Sequence, residues 1–406
     1  MTSRPARSRP SLSRRDLLAG GGVAAAGIGL GAVGATMINN NGSDAAVERL
    51  IDFHGPHQAG IQTPMQAHVV LNTHDLKQGL DLAAAQRLLR LVTDDCARLT
   101  RAQPALNDQE PHLATVPARL TVTIGFGPQW FTKLGLSSAR PAGLVELPSY
   151  PIDRLQPEFS DGDLLLQICA DDPLVVSHAA RQLTKTVRGF ATPRWSQRGF
   201  SRSEGGHLPH GAERTAAPRN LMGQIDGTVN PVAGSTDFDA VVWSDEPGWF
   251  TGGTTMVLRR IRMQLDTWDE LDVSGKELAV GRRLDSGAPL TGTVETDVAD
   301  FNATDDSGLP VIPAFAHIAR AAPRQGTDRF LRRPFNYDDG LVDGTTDAGS
   351  LFCTFQAHIA KQYLPVQKRL ADLDSLNDWT VPIGSAVFAI PPGCAPGGFV
   401  GEGMFA

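Results

Sequence analysis

One order of periodicities occurs twice in this chain, and it constrains the fold more than any single motif does. Ala67-His68-Val69-Val70-Leu71 reads as a strand. Between Leu76 and Leu99 the apolar residues Ala85, Leu89, Val92, Cys96 and Leu99 recur at alternating spacings of four and three, which is the stripe of a helix laid on a core. Leu120–Ile124 is a second strand, ended by Gly125-Phe126-Gly127. Asp163–Cys169 is a third, running into an amphipathic helix that begins near Pro173 and carries Val176, Ala179, Ala180 and Leu183. The second half uses the same order: Thr255–Leu258 as strand, Leu265–Leu278 as helix, a strand opening at Phe330-Leu331, Ser350–Gln356 as strand and His358–Leu370 as helix. The repeat is one of pattern and not of residue identity. It predicts an α+β fold of two tandem ferredoxin-like domains, each an antiparallel sheet covered by helices.

The segment 1–35 departs from the rest. Arg4, Arg7, Arg9, Arg14 and Arg15 stand against one acid, Asp16, and a run of Gly, Ala, Leu and Val follows from Leu17 to Ala35. Ser13-Arg14-Arg15-Asp16-Leu17-Leu18 reads as a twin-arginine export address. The competing reading is a membrane anchor, but the run is Gly-rich and weakly apolar, and Val33-Gly34-Ala35 offers small residues for cleavage. Residues 36–62 read as a polar, irregular arm, 63–220 as the N-terminal domain and 221–406 as the C-terminal one. Residues 186–222, rich in Arg, Gly, Ser, Pro and His, read as a long surface connection between the two. The expected destination is periplasmic, wall-associated or extracellular. Because the twin-arginine route carries folded proteins, a cofactor inserted before export is expected.

The 406 residues are 41% hydrophobic and 20% charged, ample for two cores. Loss of the leader removes five arginines and one aspartate and takes the net charge from −7 to about −11, which disfavours nucleic acid as a partner. Cys96, Cys169, Cys353 and Cys394 are far apart and form no C-x-x-C pair, so neither a zinc motif nor a covalent haem-attachment motif is present. Cys169 and Cys353 sit in strand-like runs and read as buried small hydrophobes, with a disulfide left open.

Three segments could carry chemistry. In Gly223-Gln224-Ile225-Asp226-Gly227-Thr228-Val229-Asn230-Pro231, two glycines flank a lone carboxylate. Asp-Gly alone is commonly a turn, but glycines also let backbone press against a flat ligand, leaving Asp226 aimed at it. His317 lies in Phe315-Ala316-His317-Ile318-Ala319-Arg320, with Arg324 beyond; such a histidine is often a satisfied core residue, yet imidazole is also a usual ligand of haem iron. Arg332-Arg333-Pro334-Phe335-Asn336-Tyr337 places adjacent arginines on opposite faces of a strand, so that one enters a cavity while the other meets water. His358 reads as structural, and His207 and His210, in the polar connection, as residues able to bind adventitious metal.

Together these segments resemble the dye-decolorizing peroxidase family: Gly223-x-x-Asp226-Gly227-Thr228, then His317, then the Arg332 strand. Gly162-Asp163-Leu164-Leu165-x-Gln167-Ile168-Cys169-Ala170-Asp171-Asp172-Pro173 and Gly252-Gly253-Thr254 leading to Arg259-Arg260-Ile261-Arg262-Met263 extend the likeness over roughly residues 60–400. One departure is visible, Gln224-Ile225 where members often have Phe-Lys. The chain looks most like the bacterial exported branch.

The resemblance implies one haem b per chain, held mainly by the C-terminal half. His317 would be the axial iron ligand, Asp226 the distal acid–base group and Arg332 the distal cation, with Gly227, Thr228 and Val229 on the haem face and Arg324 at a propionate. It implies hydrogen peroxide and a bulky organic or other one-electron donor as substrates, and the twin-arginine translocase as a partner during export. Stable membrane insertion after cleavage is not expected, and a homo-oligomer is left open. Tyr337, Trp249 and Trp379 are the aromatic residues considered for passing oxidising equivalents to large donors; for Tyr337 ordinary packing is the stronger reading. The rival readings are a deferrochelatase-like iron-releasing protein, a haem carrier or sensor, and an exported domain without cofactor.

Overall fold

The computed structural model describes residues 49–201, 219–226, 228–324, 326–342 and 344–406. The leader 1–35, Gly227, His207 and His210 lie outside the described residues. In the first half the order is β1 (His68–Leu76), α1 (Leu82–Thr100), β2 (Thr121–Phe126), β3 (Leu164–Ala170), α2 (Pro173–Val187) and β4 (Ala191–Phe200). Both helices start where a carboxylate can hold their free amides. Asp81 accepts from the Ala84 amide at 2.6 Å, and Asp172 accepts from Leu174 and Val175, with Pro173 in the first turn. The whole predicted stripe of α1, Ala85 through Leu99, is buried.

The second half runs β5 (Thr254–Met263), a long insertion containing the one-turn α3 (His317–Ala321), then β6 (Leu331–Arg332), β7 (Phe335–Val342), β8 (Thr345–Gln356), α4 (Leu364–Leu373) and β9 (Thr380–Ile390). The strands join in the order β5-β9-β2-β3-β1-β4-β7-β8-β6, and β5 also pairs with β8. The sheet therefore closes into a barrel, which removes exposed edges. Within each half the ladders are long; between the halves each join is a single residue pair, Phe126 with Ala389 and Phe200 with Asn336. The geometry is that of two ferredoxin-like sheets fused along both edges.

Strand period two divides the core. On β3, Leu164, Leu166, Ile168 and Ala170 face the α1 and α2 layer, whereas Leu165 and Cys169 join Val69, Leu71, Met256, Leu351, Cys353 and Phe388 on the other face, inside the barrel. Cys169 and Cys353 are free, buried thiols, and Cys96 is a third. Burial pushes the Cys169 thiol up to about 12, so it stays protonated.

Three expectations need correction. The stretch 186–222 is not all connection, because β4 occupies Ala191–Phe200. Its pattern is diluted by Pro193 and Arg194, which a register shift opposite Thr73 and His74 absorbs as a bulge. The helix expected over Leu265–Leu278 is two pieces, Leu265–Trp268 and Val273–Val280, the second capped by Asp272. The helix expected from His358 opens as a π-helical turn, Ile359–Tyr363. The described part of the arm is irregular and held to the sheet: Gln58 bonds Ile124 at both amide and carbonyl and also reaches the Pro391 carbonyl. Among the described residues no helix is long and apolar enough to cross a membrane.

Gly349 on β8 tests the tightness of this closure. A Cβ there would stand 2.0 Å from the Ile261 carbonyl on β5, so Gly349→Ala must push two paired strands apart. We expect a loss of about 1–3 kcal/mol or more in denaturant unfolding, against little change for Gly189→Ala, where nothing lies within 4 Å. Equal stabilities of the two variants would contradict the register.

Candidate active site

The loop that carries Asp226 is built by Asn220. Its side-chain oxygen accepts from the amides of Met222 and Gln224, each at 3.0 Å, and Gly223 turns the chain at φ +84°. Arg219 fastens the loop outward, donating to the carbonyls of Gly223, Leu284 and Asp285. Ile225 packs on Gly287, where a Cβ would meet its side chain at 2.7 Å. The Gln224-Ile225 departure thus has a packing role on the Ile225 side. Asp226 emerges from this frame with its side chain 26% exposed.

Arg332 meets it from β6. The Arg332 Nε donates to Asp226 Oδ1 at 3.0 Å. Asn230 holds the Arg332 backbone on both sides: its amide donates to the Arg332 carbonyl at 2.8 Å, and its oxygen accepts from the Arg332 amide at 2.9 Å. The same loop thus supplies the carboxylate and positions the cation that pairs with it. Thr228 donates to Glu295 at 2.9 Å, and the Glu295 carbonyl accepts from Arg282. Burial lowers the Arg282 pKa, Glu295 opposes that and Arg332 adds to it, so a second guanidinium stands near the pair. Val229 is exposed.

His317 opens α3, and its ring is fixed from one side. Nδ1 lies 2.6 Å from Asp374 Oδ2, and the other oxygen of Asp374 accepts from the Leu376 amide at 3.0 Å. Helices α3 and α4 are locked by a reciprocal pair: Arg320 Nε donates to the Arg369 carbonyl and Arg369 Nε to the Arg320 carbonyl, while Asp328 takes the Arg369 charge at 2.8 Å. Gly281 allows the close approach of Ile318, which a Cβ would meet at 2.6 Å. Arg324 is exposed; its guanidinium folds back to the Ala319 carbonyl and its amide donates to Asp328.

Burial disfavours the charged His317 ring, but the Asp374 carboxylate outweighs burial by its charge and its hydrogen bond. Asp226 adds to that and Arg332 opposes it, and the net effect raises the His317 pKa. His317, Asp226 and Arg332 therefore share one electrostatic neighbourhood. His317 Nε2 has no partner among the described residues, and 37% of the side chain is exposed. An imidazole anchored at one nitrogen by a carboxylate and open at the other is the arrangement of a metal-binding histidine with its outer partner. The residues present fit an axial ligand of haem iron, with Asp226 and Arg332 available for a small polar reactant.

Sequence reasoning missed Asp374, Asn230 and Glu295. Asp374 precedes Ser375-Leu376-Asn377-Asp378 and reads as a cap, which it is; nothing in spacing links it to a histidine 57 residues earlier. It also placed Arg333 in water, whereas the side chain is buried inside the barrel. Consecutive strand residues do face opposite sides, but in a closed barrel neither side of β6 need be solvent. His358 is a surface-facing neighbour of Asp245 and Gln362, in keeping with a structural role.

In the haem-free protein the His317–Asp374 pair stabilises the fold fully below the unfolded histidine pKa of about 6.5, and that stabilisation is lost as pH rises through the higher folded value. Replacing Asp374 by Asn should lower the His317 pKa, read by NMR titration of the haem-free protein. An unchanged pKa would contradict the assigned partner.

Residues 58–201 match the family described as Dyp-type peroxidase, N-terminal, and residues 217–395 match Dyp-type peroxidase, C-terminal. The chain is 38% identical over 416 residues to the dye-decolorizing peroxidase of Thermobifida fusca, covering 95% of this chain and 96% of that one. It is 35% identical over 361 residues to the deferrochelatase of Escherichia coli K12, covering 84% of each. A crystal structure of the DyP-type peroxidase from Cellulomonas bogoriensis superposes with a TM-score of 0.83 at 50% identity, covering 87% of this chain and 98% of that one. With both domain families matched in order and the site residues gathered as described, the chain belongs to the DyP-type peroxidase family and is a haem peroxidase.

Proposed function

We propose that the protein binds one haem b per chain and reduces hydrogen peroxide at the expense of a bulky organic or other one-electron donor. The observation that carries this is the placement of two partnered sets in one neighbourhood, His317 with Asp374 and Arg332 with Asp226. His317 Nε2 would hold the iron, Gly227, Thr228 and Val229 would lie on the haem face, and Arg324 would turn from the Ala319 carbonyl to a propionate. Haem supplies the iron that takes up the oxidising equivalents of peroxide.

The protein's own part is proton movement and charge. Asp226 would accept a proton from one oxygen of hydrogen peroxide and return it to the other, which then leaves as water. The Arg332 guanidinium would hold the peroxide and steady negative charge on the departing oxygen. Asp374 keeps the His317 ring oriented and enriches its electron density, which favours breaking the O–O bond.

The test is the absorption spectrum of the haem-loaded protein before and after one equivalent of peroxide, for wild type and for His317→Ala. The account expects a Soret band that changes with peroxide in the wild type and is lost or altered in the variant. A variant spectrum identical to wild type would remove His317 from the iron. Release of iron-free porphyrin on turnover would favour iron release over donor oxidation.

We also propose export through the twin-arginine route, on the strength of Arg14-Arg15 ahead of an apolar run. Replacing both arginines by Lys should retain the protein in the cytoplasm of its host with its leader uncleaved. Normal export of that double variant would overturn the route.

A further inference from the structure

Arg333 is a buried cation that the proposed chemistry does not use. Its side chain is 6% exposed and lines the same cavity as Asp226 and Arg332. Nη1 donates to the carbonyls of Ile61, at 3.2 Å, and Thr63, and Nη2 donates to Gln66 Oε1 at 3.1 Å. Nε has no partner, and no carboxylate among the described residues bonds the group. A guanidinium satisfied by neutral oxygens in an apolar barrel costs more than an alkyl chain of similar size would. Its effect is to fasten one piece of backbone, residues 61–66. Arg119 fastens the same piece elsewhere, donating to the Pro64 carbonyl at 2.6 Å.

That piece of backbone is one wall of a cavity of about 270 Å³. Ile61 to Met65 line it together with Asp226, Asn230, Arg332 and Arg333. Gln62 and Pro64 are exposed, so the cavity opens to solvent on the arm side and leads to the Asp226–Arg332 pair. Arg332 and Arg333, successive in the chain, thus both line this cavity, and Arg333 also holds the backbone of its arm-side wall.

We propose that Arg333 is a positioning residue that sets peroxide selectivity: by pinning the backbone of Ile61 and Thr63 it keeps the entrance narrow, admitting hydrogen peroxide and excluding bulky organic hydroperoxides. This rests on the peroxidase reading and adds to it which peroxides reach the site.

The experiment compares wild type with Arg333→Met, which keeps volume and removes the donors. Amide hydrogen exchange of residues 61–66 is followed in the haem-free proteins, and rate constants with hydrogen peroxide and with cumene hydroperoxide are measured in the haem-loaded ones. We expect faster exchange in the variant and a shift of the rate ratio toward cumene hydroperoxide by about tenfold or more. Unchanged exchange, or faster exchange with an unchanged ratio, overturns the proposal. A wild type that reacts with neither peroxide overturns the peroxidase reading instead, and the exchange comparison still decides whether Arg333 holds the arm. If Arg333→Met does not fold, Pro64→Gly loosens the same wall with Arg333 intact; it must shift the ratio in the same direction, and failure to do so sinks the proposal.

Discussion

The pairing of Leu331 and Arg332 with Phe355 and Thr354 on β8 is the contact on which the site depends. Two residues of ladder are enough to send Arg332 toward Asp226 and Arg333 into the barrel, because strand side chains alternate. Asn230 then locks the Arg332 backbone with two hydrogen bonds. Each bond of this kind contributes about 1 kcal/mol to stability, so β6 is held by side-chain bonds about as much as by its ladder. A slip of one residue would exchange the two arginines and leave Asp226 without its cation.

The barrel explains why so short a strand can be trusted with that role. The first half packs both helices on its sheet and offers a filled layer, with α1 and α2 covering Val122, Ile124 and Ile168. The second half instead places a long, loop-rich insertion between β5 and β6, and puts His317, Asp226 and Glu295 in or beside it. One half is therefore a rigid support and the other carries the chemistry, although the two share one pattern of elements. Charge follows the same division: Asp374 pairs with His317, Asp226 pairs with Arg332, and Arg369 with Asp328 ties α3 to α4.

Much of this was legible in the chain. The α1 stripe, the start of α2 at Pro173, and the double use of one strand and helix order follow from periodicity and local chain chemistry. Asp226, His317 and Arg332 were recognisable through family likeness, and the structure brings them together. What stayed hidden was set by closure of the barrel and by long-range contacts. Strand β4 carries Pro193 and Arg194 where a bulge forgives them. Arg333 looks like a surface residue until the barrel surrounds it, and Asp374 looks only like a cap. None of these has a local signal, because each depends on a partner 50 to 270 residues away.

The central claim is that Asp226 moves the peroxide proton while Arg332 holds and polarises the reactant. It is tested most directly by rapid mixing of haem-loaded protein with hydrogen peroxide, following the change in the Soret band for wild type, Asp226→Asn and Arg332→Leu. The account predicts that removing the proton carrier slows the step by about 10²–10⁴-fold and that removing the cation also slows it, with the resting haem spectrum retained in both variants. A wild-type rate in Asp226→Asn and Arg332→Leu alike would contradict it.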